Sequence, residues 1–344
     1  MNRTREKNLR YLLFADILGT KASYSNSLTL TWQKRALLDK ILDGVVIPRL
    51  DSLDARLYVA SDSVILAVPE FPSLLQLAAQ LFAHCLKHSL RMSDFPQYIL
   101  LRGGISYGTA MEAKGLRASP RVQVLNILDD SMPKAYYLES LRQGSRLFLD
   151  HEIPYRNNEV ARLIVPWEAI PGVGNPALSF TREYHWPGAA AECPIATILP
   201  ALHASWLRFL NKADPLEIRG YDEALLHLDE TVKLLIRCCP LVANRNSYVE
   251  TLLRLLPNNQ SEVTAIEFEW GVWFQAIRAL LQIVPADTSK QSKKIHRCIQ
   301  QMKQILCDTA NMHYWSIFVA ELIKPDYMDL KNNLVERFGD KFFS

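Results

Sequence analysis

Tyr11-Leu12-Leu13-Phe14-Ala15-Asp16-Ile17-Leu18-Gly19-Thr20 is the stretch on which the fold turns. Its apolar run suits a strand buried on both faces. The run delivers one carboxylate and one glycine before a Thr- and Ser-rich segment with helix-start chemistry. A carboxylate at the end of a buried strand is costly unless something pairs it, and a metal ion is the usual partner. Gly19 has no side chain to keep a phosphate from the backbone. The pattern therefore suggests a divalent cation on Asp16, with the phosphates of a nucleoside triphosphate beside it.

Outward from this stretch the elements follow in order. Trp32–Leu50 carries Leu37, Leu38, Ile41, Leu42, Val45 and Val46 at helical spacing. Arg56–Ala60 and Val64–Val68 read as a hairpin turning at Ser61-Asp62-Ser63, and Ser73–Leu90 as a second amphipathic helix. Tyr98–Gly108 is a strand interrupted by glycines, where a backbone or ligand comes close. A strand is expected around Val122–Leu128, then a helix over Lys134–Leu149 with Pro133 at an early helical position. The fold class is α+β, a ferredoxin-like β-α-β-β-α-β core followed by an all-α C-terminal part. The expected division is 1–150 for the core, 151–200 for a short-strand extension or linker, and 201–344 for helices.

Composition narrows the class. The chain has 344 residues, 49% of them hydrophobic and 22% charged, with a formal net charge of +3. That charge is too small to argue for a nucleic-acid partner. No run approaches the roughly 18 apolar residues of a membrane helix. The N-terminal Met1-Asn2-Arg3-Thr4-Arg5-Glu6-Lys7 offers no signal-peptide core. Cys85, Cys193, Cys238, Cys239, Cys298 and Cys307 form no CxxC pair and read as reduced thiols, so a cytoplasmic location is expected.

Chemistry concentrates on Asp16, on Asp62 at the hairpin tip, and on the Arg102-Gly103-Gly104-Ile105 strand. In a β-α-β-β unit the two carboxylates can converge beside the first strand. Two carboxylates repel unless a cation lies between them, and such a pair can hold two divalent ions on a triphosphate. Equally, Asp62 can cap a tight turn and Asp16 the first helix.

Phe14-Ala15-Asp16-Ile17-Leu18-Gly19, Ala60-Ser61-Asp62-Ser63-Val64 and Leu101-Arg102-Gly103-Gly104-Ile105-Ser106-Tyr107-Gly108 resemble the three core motifs of class III nucleotidyl cyclases. Ala135-Tyr136-Tyr137-Leu138-Glu139 is similar to the helix that ends their catalytic core. The resemblance implies attack of the ribose 3′-hydroxyl on the α-phosphate, giving a 3′,5′-cyclic nucleotide and pyrophosphate. It implies two Mn2+ or Mg2+ ions per site, held by Asp16, Asp62 and the Ile17 carbonyl. Backbone amides of Leu18, Gly19 and Thr20 would cradle the phosphates, and the enzyme would be a head-to-tail homodimer.

The chain departs from the family twice. Purine cyclases carry a base-reading lysine four residues before the second metal aspartate, where this chain has Tyr58. An aromatic ring stacks on any base but cannot supply that charged hydrogen bond, and it leaves less room. In this the chain resembles the pyrimidine cyclases of bacterial Pycsar anti-phage systems. That resemblance implies UTP, with CTP second, as substrate, and a cyclic nucleotide read by a separate effector protein. Tyr58 can also be a half-buried strand tyrosine with no ligand. The family's late-helix Asn and Arg are replaced by Pro133 and Tyr137. The missing positive charge must come from Lys134, the first choice, or from Arg102 or Arg121; otherwise the chain is a degenerate cyclase that binds a triphosphate as a sensor. The helical part carries no chemical motif and is a possible sensor.

Other signals read as structural. His84 and His88 lie one helical turn apart on an expected exposed face. Cys238-Cys239 precedes Pro240 at a helix end, and Lys290-Gln291-Ser292-Lys293-Lys294 reads as a solvated helix start. Glu267, Trp270, Trp273 and Phe274 form an aromatic helical stripe best explained by core packing.

Overall fold

A computed structural model describes residues 9–18, 28–92, 98–112, 125–127, 131–153, 161–166, 181–190, 194–212, 218–257, 266–285, 289–308 and 312–343. Strand β1 (Leu9–Ile17) lies between β3 (Ser63–Val68) and β4 (Leu101–Glu112), antiparallel to both. Strand β2 (Arg56–Ala60) pairs with β3 through a tight turn at Ser61 and Asp62. The expected Val122–Leu128 strand is seen as β5 (Leu125–Ile127), which pairs with β4. The sheet continues through β6 (Leu147–Leu149), β8 (Arg182–Tyr184) and β7 (Ile164–Pro166), in the order β2-β3-β1-β4-β6-β8-β7. With α1 (Leu28–Val45) after β1 and α2 (Phe71–Ser89) after β3, the chain is α+β.

Buried apolar side chains fill both faces of β1, which explains its unbroken run of hydrophobic residues. Leu12 and Phe14 share one face with Ile65, Ala67 and Ala135 of α3 (Ser131–Glu139), and Tyr58 packs on this cluster. Leu13, Ala15, Val64 and Leu66 are buried on the other. Helix α3 lies directly on β4. A Cβ added at Gly104 would meet the Ala135 carbonyl at 2.2 Å and Leu138 Cβ at 2.5 Å.

The helix expected over 134–149 stops at Glu139. Gly144 follows with φ 89°, and Leu147-Phe148-Leu149 is a buried strand parallel to β4. Three consecutive buried apolar residues suit a strand covered on both faces, and a short run of this kind looks alike to either periodicity.

The described residues divide into two units. The first holds those of Met1–Ile170, Gly174–Cys193 and Arg219–Glu230; the second holds those of Pro194–Ile218 and Thr231–Ser344. Behind β4 in the first unit, Arg146 is buried and forks onto Glu183, Nε to Oε1 at 2.6 Å and Nη2 to Oε2 at 2.7 Å. Glu230 adds a third contact to Arg146 at 3.4 Å. The Gly144 N–H donates to His227 Nδ1 at 3.1 Å, and Trp186 Nε1–H donates to the Ser145 carbonyl at 2.6 Å. Burial, with Arg102 and Lys34 nearby, pushes His227 down to about 4, consistent with the neutral ring that accepts this bond.

The second unit is helical. It comprises α4 (Ile195–Lys212), the end of α5 (Ile218–Cys238), α6 (Val249–Leu253), α7 (Ile266–Ile283), α8 (Lys290–Cys307), α9 (Met312–Leu322) and α10 (Met328–Phe338). Helix α7 packs against α6, α9 and α10. Trp270, Trp273 and Phe274 are buried in that packing, as expected of the stripe, while the Glu267 side chain lies outside the described residues. Phe274 and Phe318 rings are 5.0 Å apart, and Arg278 ties α7 to α10 through Asp329 at 2.9 Å. Cys238 and Cys239 are buried free thiols at a helix end. His84 and His88 are half-buried rather than exposed. Among the described residues no helix is long and apolar enough to cross a membrane.

Gly104→Ala should destabilise the first unit by at least about 1–3 kcal/mol, because the atoms met are largely helix backbone. Gly44→Ala, with nothing within 4 Å, should be neutral or gain up to about 1 kcal/mol. Urea unfolding of the two variants checks the contrast. Arg146→Met should cost about 3–5 kcal/mol by leaving Glu183 buried and unbalanced, and the double variant Arg146→Met with Glu183→Met should recover most of it.

Candidate active site

The site forms where β1 runs out. Asp16 is opposite Ser63 of β3 and Arg102 of β4, so these three side chains share one sheet face. Ser63 Oγ donates to Asp16 Oδ1 at 3.0 Å. The Ile17 N–H donates to the Asp62 carbonyl at 3.2 Å, which brings the hairpin tip against the end of β1. Ser61, immediately before Asp62, is held at φ 55°, a left-handed conformation that closes the two-residue turn. Asp16 and Asp62 are thus neighbours although 46 positions separate them in the chain.

Electrostatics at this end of the sheet are strained toward negative charge. Burial first, and then the Asp62 charge, push the Asp16 carboxyl up to about 7, against the Ser63 hydroxyl and Arg102. Arg102 Nε donates to Glu139 Oε1 at the end of α3. Glu139 is itself buried, and desolvation raises its pKa while Arg102 opposes the shift and Asp62 adds to it. Three carboxylates therefore face one guanidinium. Among the described residues no group of three or more His, Cys, Asp or Glu side chains is placed to hold a metal ion. The donor set for a cation is then two carboxylates with backbone oxygen, hard ligands that suit Mg2+ or Mn2+ better than a soft metal. A divalent ion would offset the burial and the repulsion that together lift Asp16, so the residues present fit one.

The other residues singled out from sequence fall in different places. Tyr58 is on the same face as Asp16, one cross-strand row away: it stands opposite Ile65, which pairs with Phe14. It is half-buried against the Leu12–Phe14 cluster. Ile17 is buried. The Leu18 N–H donates to the Leu100 carbonyl at 2.8 Å and so is already engaged. Gly19, Thr20 and Arg121 lie outside the described residues. Lys134 is turned to Glu152, 2.6 Å from Oε2, and to Asp150 at 3.8 Å. The cation that the fold brings beside Asp16 is Arg102. Pro133 and Tyr137 are exposed on α3.

Beside Asp62 a cavity of about 490 Å³ opens between α1 and the β2–β3 turn. Ile17, Thr31, Trp32, Lys34, Ser61 and Asp62 contribute to its wall. Sequence reading passed over Lys34 and the role of Glu139. Lys34 had a signal: it stands in the apolar stripe of α1 with Leu38, Ile41, Leu42 and Val45.

No protein-family model matches the chain, and no curated protein matches it. Among solved structures, one of a bacterial light-regulated adenylyl cyclase is similar at 13% sequence identity and a TM-score of 0.29. The match covers 41% of this chain and 42% of that one, so the chain spans about two fifths of that protein's length.

The Arg102–Glu139 pair yields a prediction. Glu139→Ala should free the Arg102 guanidinium, destabilising the first unit by about 1–3 kcal/mol. Arg102→Ala should cost at least as much, because the carboxylate it abandons is the more buried partner. Thermal unfolding of both variants checks the order.

Proposed function

We propose that the protein is a nucleotidyl cyclase with a class III cyclase core, acting on a pyrimidine nucleoside triphosphate, UTP before CTP. The observation that carries this is the meeting of Asp16 and Asp62 at the end of β1, held by the Ile17 N–H to Asp62 carbonyl bond. Asp16, Asp62 and the Ile17 carbonyl would hold two Mg2+ or Mn2+ ions. When bound, such ions supply Lewis-acid activation of a hydroxyl and neutralise phosphate charge. The O3′–Pα bond forms as the bond from Pα to the bridging oxygen breaks. The 3′-hydroxyl proton passes to solvent water, and pyrophosphate leaves with the electron pair. Arg102, steadied by Glu139, sets the charge beside Asp16, and Tyr58 offers an aromatic face to the base without a purine-reading ammonium. The product would serve as a second messenger in antiviral defence, read by a separate effector. The active form would be a homodimer, with the helical unit as sensor.

The alternative is a protein that binds a triphosphate without turning it over. It is favoured by the exposed Pro133 and Tyr137 and by the engagement of Lys134 with Glu152.

Incubation of the full chain with each ribonucleoside triphosphate and Mn2+ separates these. Cyclic UMP should form, and Asp16→Ala or Asp62→Ala should reduce it by at least about a hundredfold. Product from ATP or GTP alone would contradict the pyrimidine assignment. Binding of triphosphate with no cyclic product would favour the sensor.

A further inference from the structure

Lys34 is a feature of the first unit that packing does not explain. It occupies an inward position on α1, in line with Leu38 and Ile41, and its side chain is only 5% exposed. No hydrogen bond or ion pair holds its ammonium among the described residues. Its neighbour Arg35 is different, being paired with Asp39 at 2.9 Å one turn along the helix. A buried ammonium without a counter-ion is unfavourable in itself, and a methionine would fill the stripe without that penalty. Burial alone lowers Lys34 to about 8, so the group is still mostly charged near neutral pH.

The surroundings indicate what the charge is for. Lys34 lines the cavity of about 490 Å³ that Asp62, Ser61 and Thr31 also border, a size within the range of small-molecule pockets. His227 of α5, close enough for the Lys34 charge to help lower its pKa, is held neutral mainly by burial and supplies no negative charge. The counter-charge that suits this place is a ligand anion. Because Asp62 stands in the same wall, that anion must arrive with a divalent cation, as polyphosphates do.

We propose that Lys34 is the polyphosphate-binding residue of this cavity, donating to the terminal phosphates and neutralising the charge that gathers on pyrophosphate as it leaves. For the identity of the anion this rests on the cyclase assignment above. Lys34 supplies from α1 the positive charge that Pro133 and Tyr137 cannot supply from α3. It also gives the cavity a recognition element for phosphate that is indifferent to the base.

Calorimetric titration of the full chain with inorganic tripolyphosphate and Mg2+ tests it. Lys34→Met should weaken binding by at least about tenfold, the value of one charge-assisted hydrogen bond, and Lys34→Arg should stay within a few-fold of the parent. The melting temperature of unliganded Lys34→Met should equal or exceed that of the parent, since an unpartnered buried charge has been removed. Should that variant fold poorly, Lys34→Gln carries the same binding expectation. Equal binding by the parent and Lys34→Met, or no binding by the parent, overturns the proposal. Unchanged kcat/KM for UTP in Lys34→Met would overturn it while leaving the cyclase assignment intact. Lys34-dependent tripolyphosphate binding in a chain that cyclises no triphosphate would do the reverse.

Discussion

The close seat of α3 on β4 is the constraint that shapes the first unit. Gly104 has no room for a Cβ because the backbone of Ala135 and Glu139 already occupies the space. Gly103, on the other face, is confined less tightly, by the Phe14 carbonyl at 2.8 Å and by the Leu13 and Leu147 side chains at 3.1 and 3.2 Å. Gly104 thus lets the helix settle on the face of the sheet, while at Gly103 a Cβ would crowd the neighbouring strands β1 and β6. The helix end then falls where Glu139 can take the Arg102 guanidinium, and its start where Ser106 Oγ donates to the Ser131 carbonyl at 2.6 Å. With α3 fixed, Phe14 is closed over by Tyr136, ring to ring at 5.4 Å, and Asp16 is left at the open end of the row.

Charge at that open end is balanced locally and incompletely. Ser63 and Arg102 favour the ionised form of Asp16, while burial, Asp62 and Glu139 oppose it. Farther back, Arg146 and Glu183 pair inside the unit and settle their own charges. The contrast is physical: one buried pair is closed by bidentate hydrogen bonds, whereas the site keeps excess carboxylate on one side and, on the other, the Lys34 ammonium, which no described residue pairs. A metal–polyphosphate complex carries the complement of both.

Much of this was legible in the chain. The β1 run and the two amphipathic helices were plain because their apolar residues repeat at the periods the structures require. The Arg56–Val68 hairpin was equally plain, because two strand-like runs flank a short polar turn. The neighbourhood of Asp16 and Asp62 followed from the order of those elements. What failed to show had definite causes. Leu147–Leu149 was absorbed into a helix because three residues are too few to display a strand period. Lys34 was overlooked because a lysine in an apolar stripe resembles a solvated neighbour until its burial is known. The engagement of the Leu18 N–H with Leu100 depends on register between strands far apart in sequence.

The central claim is that Asp16 and Asp62 together make a divalent-cation site at the end of β1. Titrating the full chain with Mn2+ and following the free ion by electron paramagnetic resonance addresses it without any substrate. The account predicts that the parent binds Mn2+, and that Asp16→Asn and Asp62→Asn each weaken binding by at least about tenfold. Equal Mn2+ binding by the parent and both variants would contradict it.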